Sequence, residues 1–174
     1  LRVSKASGLH VVMGAGWYQK ALHPPDMTER TVEELTDIVV GDVTVGAQGT
    51  TIRSGITGEV GTNARPLVEN ELKSARASAR AARLTGAPMS IHSFGTPEEM
   101  LQILDIVASE GVDLSRVVMS HTAARDSAYV KQLIARGVYV EYDYIGQAPL
   151  SAERNQSIVD RIAEMFAAGD YKRA

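Results

Sequence analysis

Three ionisable residues stand where an α/β protein could do chemistry: Glu59, His92 and His121. Each closes an apolar or β-branched run and precedes a loop. Glu59 and His92 are 33 residues apart, and His92 and His121 are 29 apart. One strand–helix–strand unit takes roughly 30 residues. The spacing therefore predicts three neighbouring parallel strands that present these side chains at one end, the C-terminal end. That is where barrels and open α/β sheets build active sites. Two imidazoles and one carboxylate suit a catalytic Zn²⁺, with water in the fourth position. Any one of them alone fits an ordinary hydrogen-bonded loop residue, and Glu59 alone could pair with Arg53 or Arg65. His10, at the start of a strand, and His23, in a Pro-rich loop, are weaker candidates. Trp17 and Tyr18 directly follow the first strand and are read as substrate-pocket walls or as packing under the next loop.

The elements that must position these residues alternate along the chain. Strands are expected over 10–16, 55–61, 88–92, 116–121 and 138–143. Helices are expected from Thr31, from about Pro66 to Leu84, from Thr96 to Glu110, from Ser127 to Arg136 and from Ala152 to Ala168. Thr31-Val32-Glu33-Glu34 and Thr96-Pro97-Glu98-Glu99 are capping boxes, the second with Pro at the favoured first position. Val32, Leu35, Ile38 and Val39 form the expected apolar face of the first of these helices. The Gly-rich stretch 41–51 reads as a loop or short hairpin. Gly86, Gly111 and Gly137 stop three helices. Strands alternating with helices imply βα units, a parallel sheet and a single domain over 1–174. Both a barrel segment and an open doubly wound sheet fit this pattern.

Composition removes other classes. The 174 residues contain no cysteine, so disulfide scaffolds and thiolate metal sites are excluded. A net charge of −3 leaves no footprint for nucleic acid or an anionic membrane. No apolar run approaches the ~20 residues that span a bilayer, and no signal peptide is visible. With 44% hydrophobic and 22% charged residues, the chain is an ordinary folded one. It is read as cytoplasmic, with a small-molecule substrate, no nucleic-acid or membrane partner, and a homodimer as the oligomer considered. There is no third Gly for a dinucleotide fingerprint after Gly14 and Gly16, no P-loop and no serine-hydrolase elbow.

Several motifs carry a resemblance. Gly14-Ala15-Gly16-Trp17-Tyr18 with His23-Pro24 is similar to the third-strand motif of the phosphotriesterase family in the amidohydrolase superfamily. Gly58-Glu59-Val60-Gly61-Thr62 resembles the fourth, in the branch that carries Glu where others carry a carboxylated Lys. Ile91-His92-Ser93 and Val118-Met119-Ser120-His121 resemble the fifth and sixth. Glu141-Tyr142-Asp143-Tyr144-Ile145-Gly146 resembles the seventh.

The resemblance implies a (β/α)₈ TIM barrel, with strands three to seven in this chain and strands one, two and eight missing from it. It implies a divalent metal, zinc as the first choice, with two ions per complete site. Glu59 would bridge them, and His92 and His121 would hold the more exposed one. A metal-activated hydroxide would attack a carboxyl ester, lactone, amide or phosphotriester. Asp143 and Tyr144, with Trp17 and Tyr18, would contact substrate.

The family's His-x-His pair occurs nowhere in the sequence. The final residues, Asp170 to Ala174, stand where an eighth strand would be about to begin. After His121 the usual Asp is replaced by Thr122-Ala123-Ala124, with Asp126 the nearest acid. The alternative reading is a catalytically incomplete barrel fragment that acts as a metal-binding or interaction module.

Overall fold

The computed structural model describes residues 2–63, 66–146 and 151–169. Arg65 and the Asp170–Ala174 segment lie outside the described residues. Five strands, β1 (Gly14–Ala15), β2 (Ile56–Gly61), β3 (Met89–His92), β4 (Val117–Ser120) and β5 (Tyr139–Val140), form one sheet in that order. Every adjacent pair is parallel. The helices are α1 (Arg2–Ser7), α2 (Val32–Thr44), α3 (Glu69–Thr85), α4 (Pro97–Ser109), α5 (Ser127–Ala135) and α6 (Ala152–Ala168).

Side chains alternate across a strand, and β3 and β4 use both faces. Met89, Ile91, Val117 and Met119 are fully buried against Ala75, Ala79 and Ala82 of α3, Ile103, Leu104 and Val107 of α4, and Tyr129 and Leu133 of α5. Burying each large aliphatic side chain contributes ~1.5–3 kcal/mol, so this layer fixes where the strands sit. The intervening Ser90, His92 and Ser120 turn to the other face, where the Ser90 and Ser120 hydroxyls lie 3.2 Å apart. The Ala-rich α3 packs on two sides: Ala77 and Ala81 meet Leu35 and Val39 of α2, with Trp17 wedged alongside.

Both capping boxes form. Thr31 and Thr96 accept from the backbone N–H of Glu34 and Glu99, whose carboxylates accept in return from the Thr backbone N–H. The structure corrects four expectations. Residues 41–51 hold no hairpin: α2 runs through Gly41 to Thr44, and a 3-10 turn follows at Ala47–Gly49. Nothing approaches Gly41, so its only penalty is the ~1 kcal/mol of a helical glycine. On α2, Thr36 replaces Ile38 in the buried face, and Ile38 is exposed. The first strand is two residues long rather than seven, and Val11 and Val12 are exposed. The fifth strand is likewise two residues long. Among the described residues each of these short strands pairs with one neighbour, so few ladder hydrogen bonds hold it.

Candidate metal centre

A β-bulge places Glu59. Thr57 pairs with Met89 and Val60 with Ile91, so β2 carries one residue more than β3 over that interval. Strict alternation from Thr57 would send Glu59 to the helical side. The extra residue lets Val60 stay in the core while Glu59 turns to the opposite face. Gly58 makes the bulge feasible. It sits at φ +111°, and a Cβ there would lie 2.2 Å from the Ser90 carbonyl oxygen.

His92 ends β3 and His121 follows β4 in a left-handed conformation, φ 59°. His92 Nδ1 lies 3.4 Å from Glu59 Oε1, and His121 Nε2 lies 3.5 Å from the same oxygen. The two rings meet edge to face, centroids 4.5 Å apart. One donor atom from each of the three residues lies within 4.8 Å of the other two. Burial raises the Glu59 carboxyl, but hydrogen bonding and charge from His92, then the Ser120 hydroxyl and His121, outweigh it. The group is held below the ordinary glutamate range.

Neighbouring groups orient the imidazoles. Asp143 Oδ2 is bonded to His121 Nδ1. A carboxylate only accepts, so Nδ1 carries the proton in this contact, and Nε2 is the nitrogen that faces Glu59. That is the usual orienting contact of a metal-binding histidine. The Tyr18 hydroxyl lies 3.0 Å from His92 Nδ1. Burial, and then the charge of Glu59, raise this phenol's pKa. The buried Glu71 positions the Tyr18 loop: its carboxylate accepts from the backbone N–H of Lys20 and of Asn63. Tyr144, at φ 65°, stacks tilted on His121 with centroids 5.1 Å apart.

A cavity of about 480 Å³ opens beside the triad, with Ser93, Phe94, Arg125, Tyr144 and Arg154 in its wall. Glu59, His92, His121, Tyr18, Asp143 and Tyr144 thus gather at one end of the sheet. Trp17 does not join them; it packs between α2 and α3. Asp143 meets the His121 imidazole rather than open cavity. Asp126 caps α5, accepting from the Tyr129 N–H, and does not replace the Asp missing after His121. His23 bonds the Tyr18 carbonyl. Phe94, Arg125 and Arg154 escaped the sequence reading. Only Arg154 left a signal there, as a basic residue where a capping box wants Glu.

The profile of the phosphotriesterase family matches residues 1–174. The chain belongs to the phosphotriesterase family. It is 35% identical over 159 residues to the N-acetyltaurine hydrolase of Danio rerio, and 39% identical over 159 residues to a phosphotriesterase-related protein of Nematostella vectensis. These alignments cover 90% and 88% of this chain but 45% and 44% of the relatives. The chain therefore spans less than half the length of these curated relatives. Its fold superposes on the phosphotriesterase homology protein of Escherichia coli, solved with phosphate in its active site. The TM-score is 0.88 at 29% identity, over 99% of this chain and 59% of that one. The five-stranded sheet is thus part of a family TIM barrel. The carboxylate and two imidazoles fit the divalent metal of such a hydrolase, because three donors converge and one imidazole is already oriented by a carboxylate.

Proposed function

We propose that this chain carries part of the active site of a metal-dependent hydrolase acting on a small N-acyl amide, carboxyl ester or lactone. Zinc is the proposed metal, two ions the proposed complement of the complete site. The observation that carries the reading is the convergence of Glu59, His92 and His121 at the C-terminal ends of three adjacent parallel strands. The relative named for amide hydrolysis, N-acetyltaurine hydrolase, supports the amide among these bonds. Imidazole and carboxylate donors also suit manganese, cobalt or iron, so availability selects among them.

A divalent cation held there would polarise the scissile carbonyl and lower the pKa of a water. The chain's own groups do the rest. Glu59 supplies negative charge shared between the two imidazoles. Asp143 holds His121 in the tautomer that leaves Nε2 available, and the Tyr18 hydroxyl holds the His92 ring. Phe94 and Tyr144 form an aromatic wall of the cavity against which an acyl group can rest.

The test is metal analysis after dialysis, alongside hydrolysis of N-acetyltaurine and a panel of small esters and lactones. The His92→Ala/His121→Ala double variant should lose both bound metal and hydrolysis. An active, fully metallated double variant would refute the proposal.

A further inference from the structure

Two guanidiniums share the cavity with the metal centre, and they are held very differently. Arg125 is fixed: its two terminal nitrogens donate to the Gly95 and Ser93 carbonyls, 2.8 Å each, on the loop after β3. Arg154 is exposed, and its guanidinium has no hydrogen-bond or ion-pair partner among the described residues.

Its place in the helix is unfavourable. Ser151 caps α6, accepting from the Arg154 backbone N–H, so Arg154 occupies the third position of the first turn. In α2 and α4 that position holds Glu34 and Glu99, which close the capping boxes. Here a cation sits instead at the positive end of a 17-residue helix, against the helix dipole and without a reciprocal cap. A broken local rule with no compensating partner among the described residues is expected at functional sites. The start of α6 is also anchored to the site, because Asn155 Oδ1 accepts from the N–H of Gly146, two residues beyond Tyr144.

We propose that Arg154, with Arg125 beside it, receives the anionic end of the substrate, a sulfonate or carboxylate remote from the scissile bond. The acyl end then lies at Glu59, His92 and His121, and Phe94 and Tyr144 flank the linker between the ends. The inference rests on the hydrolase reading and deepens it by naming the substrate class: acylated small molecules with an anionic tail. Guanidinium groups recognise such planar or tetrahedral oxyanions with several charge-assisted hydrogen bonds.

Three probes that differ only at the tail test it: N-acetyltaurine, N-acetyl-β-alanine and N-acetylethanolamine. In the metal-loaded protein, Arg154→Gln should lower the kcat/KM ratio of each anionic probe to the alcohol by about tenfold or more, the size of one lost charge-assisted contact. Arg154→Lys should retain part of it. Arg136→Gln, which removes a guanidinium paired with Asp105 at the opposite end of the sheet, should leave the ratio unmoved.

Calorimetric titration of the metal-free protein with the same probes gives a second readout. There Arg154→Gln should weaken the anionic probes about tenfold relative to the alcohol. A sulfonate or a carboxylate preference each supports the inference and names the group. If none of the probes is cleaved, the amide reading of the activity falls and the titration alone decides the tail. A wild-type protein without anionic preference in either assay, or an Arg154→Gln variant that keeps it, overturns the inference.

Discussion

Met89, Ile91, Val117 and Met119 face the helices with no exposed surface, whereas Ser90, His92 and Ser120, interleaved with them on the same two strands, carry hydroxyls and an imidazole to the opposite face. The contrast separates two tasks within one pair of strands. The helical face fixes the strands in place. The polar face presents donors whose usefulness depends on being held in place. It follows that damage to the first should be read in stability, and damage to the second in metal affinity.

The largest expected effect is on the helical face. Leu104→Ala or Ile91→Ala should destabilise the protein by about 2–5 kcal/mol, read as a lowered denaturant midpoint at unchanged slope. On the polar side, Asp143→Asn should lower metal affinity about 10–100-fold, measured by chelator competition, because His121 loses its orienting carboxylate. Its metal-free stability should change far less than that of the core variants. If both classes of variant lost stability equally, the separation of tasks would fail.

A further variant lies away from the sheet. Glu110, just past α4, accepts from Arg80 at 2.5 Å and Arg76 at 2.8 Å on α3. Burial raises its pKa, but the hydrogen bonds and charges of Arg80 and Arg76 outweigh that and lower it. A depressed carboxylate contributes stability that is fully present above its unfolded pKa and is lost as pH falls through the folded value. Glu110→Gln should therefore cost about 1–2 kcal/mol near pH 7, with the gap to wild type closing under acid conditions. Metal affinity should not change. Smallest is Thr31→Ala, which opens the α2 capping box for about 1 kcal/mol, again without effect on metal.

The sequence was most legible where local chemistry decides the outcome. Thr31 and Thr96 announced their helices through the residues three positions on, and the bounds of α6 follow from its apolar period. The Glu59, His92 and His121 spacing mapped onto adjacent strands because each βα unit has a near-constant length. What stayed hidden depends on the partner. The bulge at Gly58 is a mismatch between β2 and β3, so neither strand shows it alone. The bond from Asp143 to His121 joins residues 22 apart across a helix, and nothing in the spacing announces it. β1 is shorter than its residues suggest, since Val11 and Val12 are good strand formers that lie exposed outside it. Gly41 misled for the opposite reason: it looks like a helix breaker, but one glycine is a small penalty for a helix held by Leu35, Val39 and a complete cap.

The most direct test of the central claim is an anomalous-difference map from crystals of the protein loaded with zinc. A peak is expected within coordination distance of Glu59, His92 and His121, ~2.0–2.2 Å from the ligating nitrogens and oxygen. Zinc bound elsewhere, with these three side chains left hydrogen-bonded only to protein groups, would contradict it.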